Sequence, residues 1–153
     1  MVISLLDAAT RAGVEARVQR LQPDSRRRWG RMTSHQAICH MSDAFRLALG
    51  DRDTAPVPGS FKPLVRFVAL QLPMRWPRGR IRTVPEAEQG VGGTPPIEFE
   101  RDRAELIALM ARFGTAAATE RCSTHPIFGP MSVDLWGRWG YRHMDHHLRQ
   151  FGV

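Results

Sequence analysis

Ser132-Val133-Asp134-Leu135-Trp136-Gly137-Arg138-Trp139-Gly140-Tyr141-Arg142-His143-Met144-Asp145-His146-His147-Leu148-Arg149-Gln150 is the stretch on which the fold turns. A serine N-cap, an acid in the first turn and Gly152 just past the last turn delimit a helix from Ser132 to Gln150. At about 100° per residue, His143 and His147 point within roughly 40° of each other, and Trp136, Trp139 and Gln150 fall within about 40° of His143. That stripe must face a core, and two imidazoles one helical turn apart can grasp a single ion. His146, about 60° from His143 on the same wheel, is a rival partner that spacing leaves open. Trp136 and Trp139 are expected as core packing, because large aromatic side chains are usually buried.

A third ligand has to come from another helix. Thr33-Ser34-His35-Gln36 has the form of a capping box, so a second helix is expected to begin after Thr33 and to run to Leu49, with Gly50 stopping it. Ala37, Met41, Ala44, Leu47 and Ala48 form its apolar side, and His40 lies at the margin of that arc between Gln36 and Asp43. His40 is the only histidine inside a second long helix, since His35 sits in that helix's first turn and His125 in a loop. His125 and His146 read as structural or pocket-rim residues. Asp43 and Asp145 are candidates to orient imidazole N–H groups, Asp43 the better placed of the two. Cys39 adjoins His40 but points about 100° away, as a small buried residue and not a ligand.

Elsewhere a first helix is expected over residues 2 to 20, closed by the polar turn Gln22-Pro23-Asp24-Ser25. A further helix is expected from Arg101 to Ala118, with Leu106, Leu109, Met110 and Phe113 on one face, followed by a loop from Cys122 to Pro130. Residues 51 to 99 hold eight of the eleven prolines, which excludes a continuous helix there. One short helix fits Pro63 to Leu72, with Pro63 in its first turn. The excursion is expected to drape over the helices and to shape a pocket mouth, burying Phe61, Leu64, Phe67, Val68, Leu70 and Leu72.

A chain of 153 residues with 42% hydrophobic and 24% charged residues fits one domain, residues 1–153, with a core of its own. The longest apolar stretch, near Leu64 to Leu72, is too short for a membrane span, and Asp7 and Arg11 interrupt the N-terminal stretch too early for a signal peptide, so a cytoplasmic protein is expected. Two cysteines, Cys39 and Cys122, make neither a disulfide framework nor a thiolate cluster. The net charge of +7 invites a nucleic-acid partner, but the arginines are scattered and only Arg26-Arg27-Arg28 forms a run. Without interleaved aromatics they read as compositional, and nucleic acid is not expected as the partner.

Trp29-Gly30-Arg31-Met32-Thr33, Gln36-Ala37-Ile38-Cys39-His40-Met41, His125-Pro126-Ile127-Phe128-Gly129-Pro130-Met131-Ser132, Trp136-Gly137 and the Tyr141 to Gly152 segment together resemble an uncharacterised bacterial branch of the DinB/YfiT-like superfamily. The resemblance implies an all-α fold, a four-helix bundle with the proline-rich segment inserted between the second and third bundle helices. It implies one divalent metal, nickel or zinc, held by His40, His143 and His147, with water in the open coordination position. Members include thiol-dependent transferases and metal-dependent hydrolase-like proteins, so the implied function is a metal-dependent transferase or hydrolase, with a non-catalytic metal-binding or stress-response module as the alternative. The partners expected are a small-molecule substrate or thiol, with a homodimer left open.

Overall fold

Four of the helices begin where a polar side chain captures a free backbone amide. The computed structural model describes residues 3–59, 61–80, 82–117 and 120–153. It places α1 at Ala8–Gln19, α2 at Ser34–Ala48, α3 at Lys62–Gln71, α4 at Phe99–Thr115 and α5 at Val133–Gln150, with a 3-10 turn at Pro85–Ala87. Two very short strands, β1 (Thr124–His125) and β2 (Gly129–Pro130), pair antiparallel. The described residues are mostly helical with little strand, as an all-α fold requires. No helix among them is long and apolar enough to cross a membrane.

Helix α2 starts as its sequence predicts. The Thr33 hydroxyl accepts the Gln36 amide and the Gln36 side-chain oxygen accepts the Thr33 N–H at 2.9 Å. Leu49 is its C-cap, and Gly50 takes φ +73°. Helix α5 is capped by Ser132 and reaches Gln150, also as expected.

Helix α1 is shorter than expected. Asp7 is its N-cap, accepting the Thr10 amide at 2.7 Å, so the chain before it is free to leave helical geometry. Residues Ser4 to Leu6 lie instead across α5, with the Leu5 N–H donating to the Gly137 carbonyl at 2.9 Å and Leu5 fully buried. Gly137 and Gly140 permit that crossing, since a Cβ at either would fall within 3 Å of Ser4 or Leu6, or of Phe113. Helix α4 begins two residues early because Glu98 caps it, and it ends at Thr115. The expected ends at Val2 and Ala118 lie outside the described residues.

The core gathers between α1, α2, α4 and α5, where α2 packs on α4 and α5, and α1 packs on the same two helices. Phe45, Phe113, Trp136 and Trp139 form its aromatic centre, so both tryptophans are core residues as expected. The segment 51 to 98 covers one side. Val84 and Ala87 are buried against α2, and α3 lies on α5.

One expectation fails on α3. Only Leu70 is buried, whereas Phe61, Leu64, Val65, Phe67 and Val68 remain exposed. The helix is held by its polar edge as well: Lys62 donates to the Pro126 carbonyl at 3.1 Å and Arg66 to the Phe128 carbonyl at 3.2 Å. Those anchors fix its rotation and turn the larger apolar side chains outward.

Candidate metal centre

His40 projects from the middle of α2, and His143 and His147 project one turn apart from the second half of α5. The helix pair brings the rings into mutual contact. Their centroids lie 5.2 Å apart for His40 and His143, 4.7 Å for His40 and His147, and 4.8 Å for His143 and His147. Each ring offers one nitrogen to a group whose members all lie within 4.8 Å of one another. His40 Nε2 and His143 Nε2 are 3.2 Å apart. Two imidazole nitrogens bound at about 2.0–2.1 Å in a tetrahedral zinc site stand roughly 3.3 Å apart, so this edge already has the spacing a cation needs. The same spacing serves an N–H···N hydrogen bond between the rings.

Two of the rings have their tautomers set by acceptors. His40 Nδ1 lies 2.7 Å from the Ala87 carbonyl oxygen, which can only accept, so Nδ1 carries the proton and Nε2 the lone pair. His147 Nδ1 lies 3.2 Å from the Gln150 side-chain oxygen. The orientation of that amide is fixed because its nitrogen donates to the Trp29 carbonyl at 2.8 Å. His147 therefore also keeps its proton on Nδ1. Among the described residues His143 has no such partner: its Nδ1 is buried without a hydrogen bond there, and the ring is instead stacked on Trp139 at 5.3 Å and 11°.

Burial lowers the pKa of all three. At His143 the neighbouring His147 and His40 push in the same direction, and at His147 so does His40. At His40 the Ala87 hydrogen bond opposes the shift without cancelling it. The triad is thus neutral at pH 7, the state in which imidazole donates a lone pair to a metal.

His146 does not join the group. It is half-buried with its ring between Trp29 and Trp76, each 5.9 Å away, so the turn-spaced partner of His143 on this site is His147. His125 is a structural residue of the β1–β2 turn, where its Nδ1 accepts the Ile127 and Phe128 amides at 3.1 and 3.2 Å. Burial and the nearby Lys62 push its pKa down to about 3, so the acceptor stays unprotonated.

Neither aspartate orients an imidazole. Asp43 is fully buried and accepts from Arg46 and Arg52, each at 2.8 Å, and from the Thr94 amide and hydroxyl at 2.7 and 2.6 Å. It pins the 51–98 segment to α2, and the partner of His40 comes from that segment. Asp145 pairs with Arg17 at 2.9 Å and Arg149 at 3.5 Å, tying α5 to α1. The sequence offered no signal for the Ala87 carbonyl, because a backbone acceptor on an irregular segment has no residue signature. Gln150 did have one, three residues past His147 and on the same stripe.

A second group of metal-binding residue types is a hydrogen-bonded tie. Asp102 Oδ2 accepts from His35 Nε2 at 2.7 Å and from the Ile97 amide at 3.0 Å, and Cys39 Sγ lies 3.7 Å from it. Burial and Asp102 push the Cys39 thiol up to about 12, which keeps it protonated. The tie joins α2 to the start of α4.

Beside the triad, on the His146 side, lies a groove of about 540 Å3 between α5 and the 51–98 segment. Leu70, Pro73, Met74 and Trp76 form the wall opposite α5. The 51–98 segment lines this groove but the three histidines do not, and Trp76 stands between the groove and the triad with its ring 6.4 Å from His143. Comparison with models of known protein families, with curated proteins and with solved structures finds no match for this chain, and the chemistry of the site is therefore read from its own side chains.

Proposed function

We propose that the chain is a DinB/YfiT-like four-helix bundle of α1, α2, α4 and α5, with residues 51–98 inserted between its second and third bundle helices. His40, His143 and His147 hold one divalent metal, nickel or zinc, and the centre serves a metal-dependent transfer of a thiol to an electrophile or the hydrolysis of a small substrate. The bundle is supported by the packing of α1 and α2 against both α4 and α5. The metal is supported above all by one observation, three neutral buried imidazoles whose ring nitrogens converge within 4.8 Å, two of them with the outer nitrogen committed to an acceptor.

Three protein ligands leave a coordination position for substrate, and a divalent ion there would supply a Lewis acid that lowers the pKa of a bound thiol or water. The chain's own groups set the stage for it. Ala87 and Gln150 aim two of the lone pairs, Trp139 holds the third ring by stacking, and Trp76 limits water from the groove side.

The near-complete burial of His40 and His143, 5% and 8% exposed, favours a second reading in which the metal sits in a non-catalytic binding module. Turnover separates the two. Protein purified without an affinity tag and loaded with nickel or zinc is screened with low-molecular-weight thiols against electrophiles and with small esters and amides. Turnover that disappears on chelation and in His147→Ala supports the enzyme, and activity unchanged by chelation contradicts it.

A further inference from the structure

The sequence scatters its arginines, and the fold collects six of them beside the histidines. Arg75, Arg138, Arg142 and Arg149 line the groove next to the triad. Arg28, Arg75, Arg78 and Arg149 line a second hollow of about 280 Å3, which shares Arg75 and Arg149 with the first. Among the described residues lining both, Asp145 is the only carboxylate side chain, and it is already paired with Arg17 and Arg149. The Val153 backbone oxygen at the edge of the second hollow accepts from Arg17 at 3.0 Å.

Not all six charges are equally available. Arg142 is spent on the Met74 and Leu72 carbonyls, which fasten the opposite wall to α5. Arg78 lies over the Trp29 ring at 4.6 Å, a cation–π contact, and its N–H groups have no acceptor among the described residues. Arg28, Arg75 and Arg138 make no side-chain hydrogen bond or ion pair among the described residues. A hollow that concentrates like charges with few counter-charges raises the local concentration of an anion, and a guanidinium fork matches a carboxylate or phosphate in bidentate geometry.

We infer that the two hollows form one binding site for a small organic anion, with a carboxylate or phosphate held at Arg28, Arg75 and Arg78 and an apolar body lying along Leu70, Met74 and Trp76. The groove has the volume and the mixed apolar and polar lining of a small-molecule site. Its inner wall is His146, whose ring is 5.1 Å from that of His147, so the bound molecule lies one side chain from the triad. That this anion is the substrate rests on the metal-centre function proposed above, whereas its binding requires only the arginines.

Phenyl phosphate and benzoate distinguish the two anionic head groups, and phenol carries the same ring without charge. Calorimetric titration of the full chain, with and without zinc, should show saturable binding of at least one anion at one site per chain and none of phenol at the same concentration. Arg75→Ala and Arg78→Ala should each weaken it about tenfold, the loss of a charge-assisted contact, while metal content stays at the wild-type value. Equal binding of phenol, or unchanged anion affinity in both variants, would overturn the inference. So would tighter binding of a single-stranded oligonucleotide than of either small anion, lost in the same variants, which would make the basic surface a nucleic-acid site. Anion binding that persists in a protein unable to take up either zinc or nickel would remove the metal reading and leave the pocket standing.

Discussion

At the scale of single residues, the three candidate ligands were legible because each stands in a strong helical pattern, and the groups that orient them were not. Helical geometry places His143 and His147 on one stripe and His40 in another helix, but it cannot say which carbonyl will meet a ring from outside. Asp43 was chosen for its nearness to His40 along α2, and it turns instead to Arg46, Arg52 and Thr94. Gln150 offers the sharpest test at this scale. Its removal in Gln150→Ala frees His147 Nδ1 and the Trp29 carbonyl together, and metal affinity should fall by about 10 to 100-fold, as for other partners of metal-bound histidines. Competition with a chromogenic chelator measures it; wild-type affinity would mean that His147 is not oriented through this amide. Gly30 takes φ +78°, and a Cβ there would stand 2.5 Å from the Gln150 side-chain nitrogen. Gly30→Ala should therefore destabilise the fold by about 1–3 kcal/mol and weaken metal binding as well. Urea unfolding and the same chelator assay check both effects.

At the scale of elements, caps decided the outcome. Thr33 and Ser132 announced α2 and α5 from sequence because their side chains meet amides three residues on, whereas Asp7 and Glu98 moved the starts of α1 and α4. The rotation of α3 depends on anchors from Lys62 and Arg66 to a distant turn, a tertiary choice that local hydrophobicity does not encode. It follows that Leu70→Ala should cost about 2–5 kcal/mol and Phe67→Ser less than about 0.5 kcal/mol, in chemical unfolding. Comparable losses at both positions would contradict the outward face of α3. The β1–β2 turn makes a prediction in pH. His125 has its pKa pushed down to about 3 in the folded chain, whereas an unfolded histidine titrates near about 6.5. Between those values the unfolded chain holds one more proton, so folding stability falls as pH falls through the window, by up to about 1.4 kcal/mol per pH unit from this residue. Urea unfolding of the wild type and His125→Gln from pH 7 to pH 5 should show a shallower loss in the variant; parallel curves would exclude the contribution.

At the scale of the whole molecule, the helical class follows from patterning and length, and the cover over the histidines follows from contacts between segments far apart in sequence. Asp43 and Thr94 are 51 residues apart, and His40 and Ala87 are 47 apart. Such pairings have no periodicity to betray them. The arginines show the same limit, since a charge pattern scattered along the chain becomes one basic hollow only after folding. The core of Phe45, Phe113, Trp136, Trp139 and the leucines and methionines around them closes without using the triad as a staple. Chelation should thus leave the helical circular dichroism intact and lower the melting temperature by roughly 5–10 °C from a state saturated at about 100 times Kd, the size of the mass-action contribution. Unfolding on chelation would make the metal structural. The central claim is that His40, His143 and His147 together hold one ion, and the direct measurement is elemental analysis of untagged protein after equilibration with zinc or nickel and removal of free metal. Wild type and His146→Ala should carry one ion per chain, and His40→Ala, His143→Ala and His147→Ala should each carry almost none while retaining wild-type helical content; full occupancy in all three variants, or loss of the ion in His146→Ala alone, would contradict it.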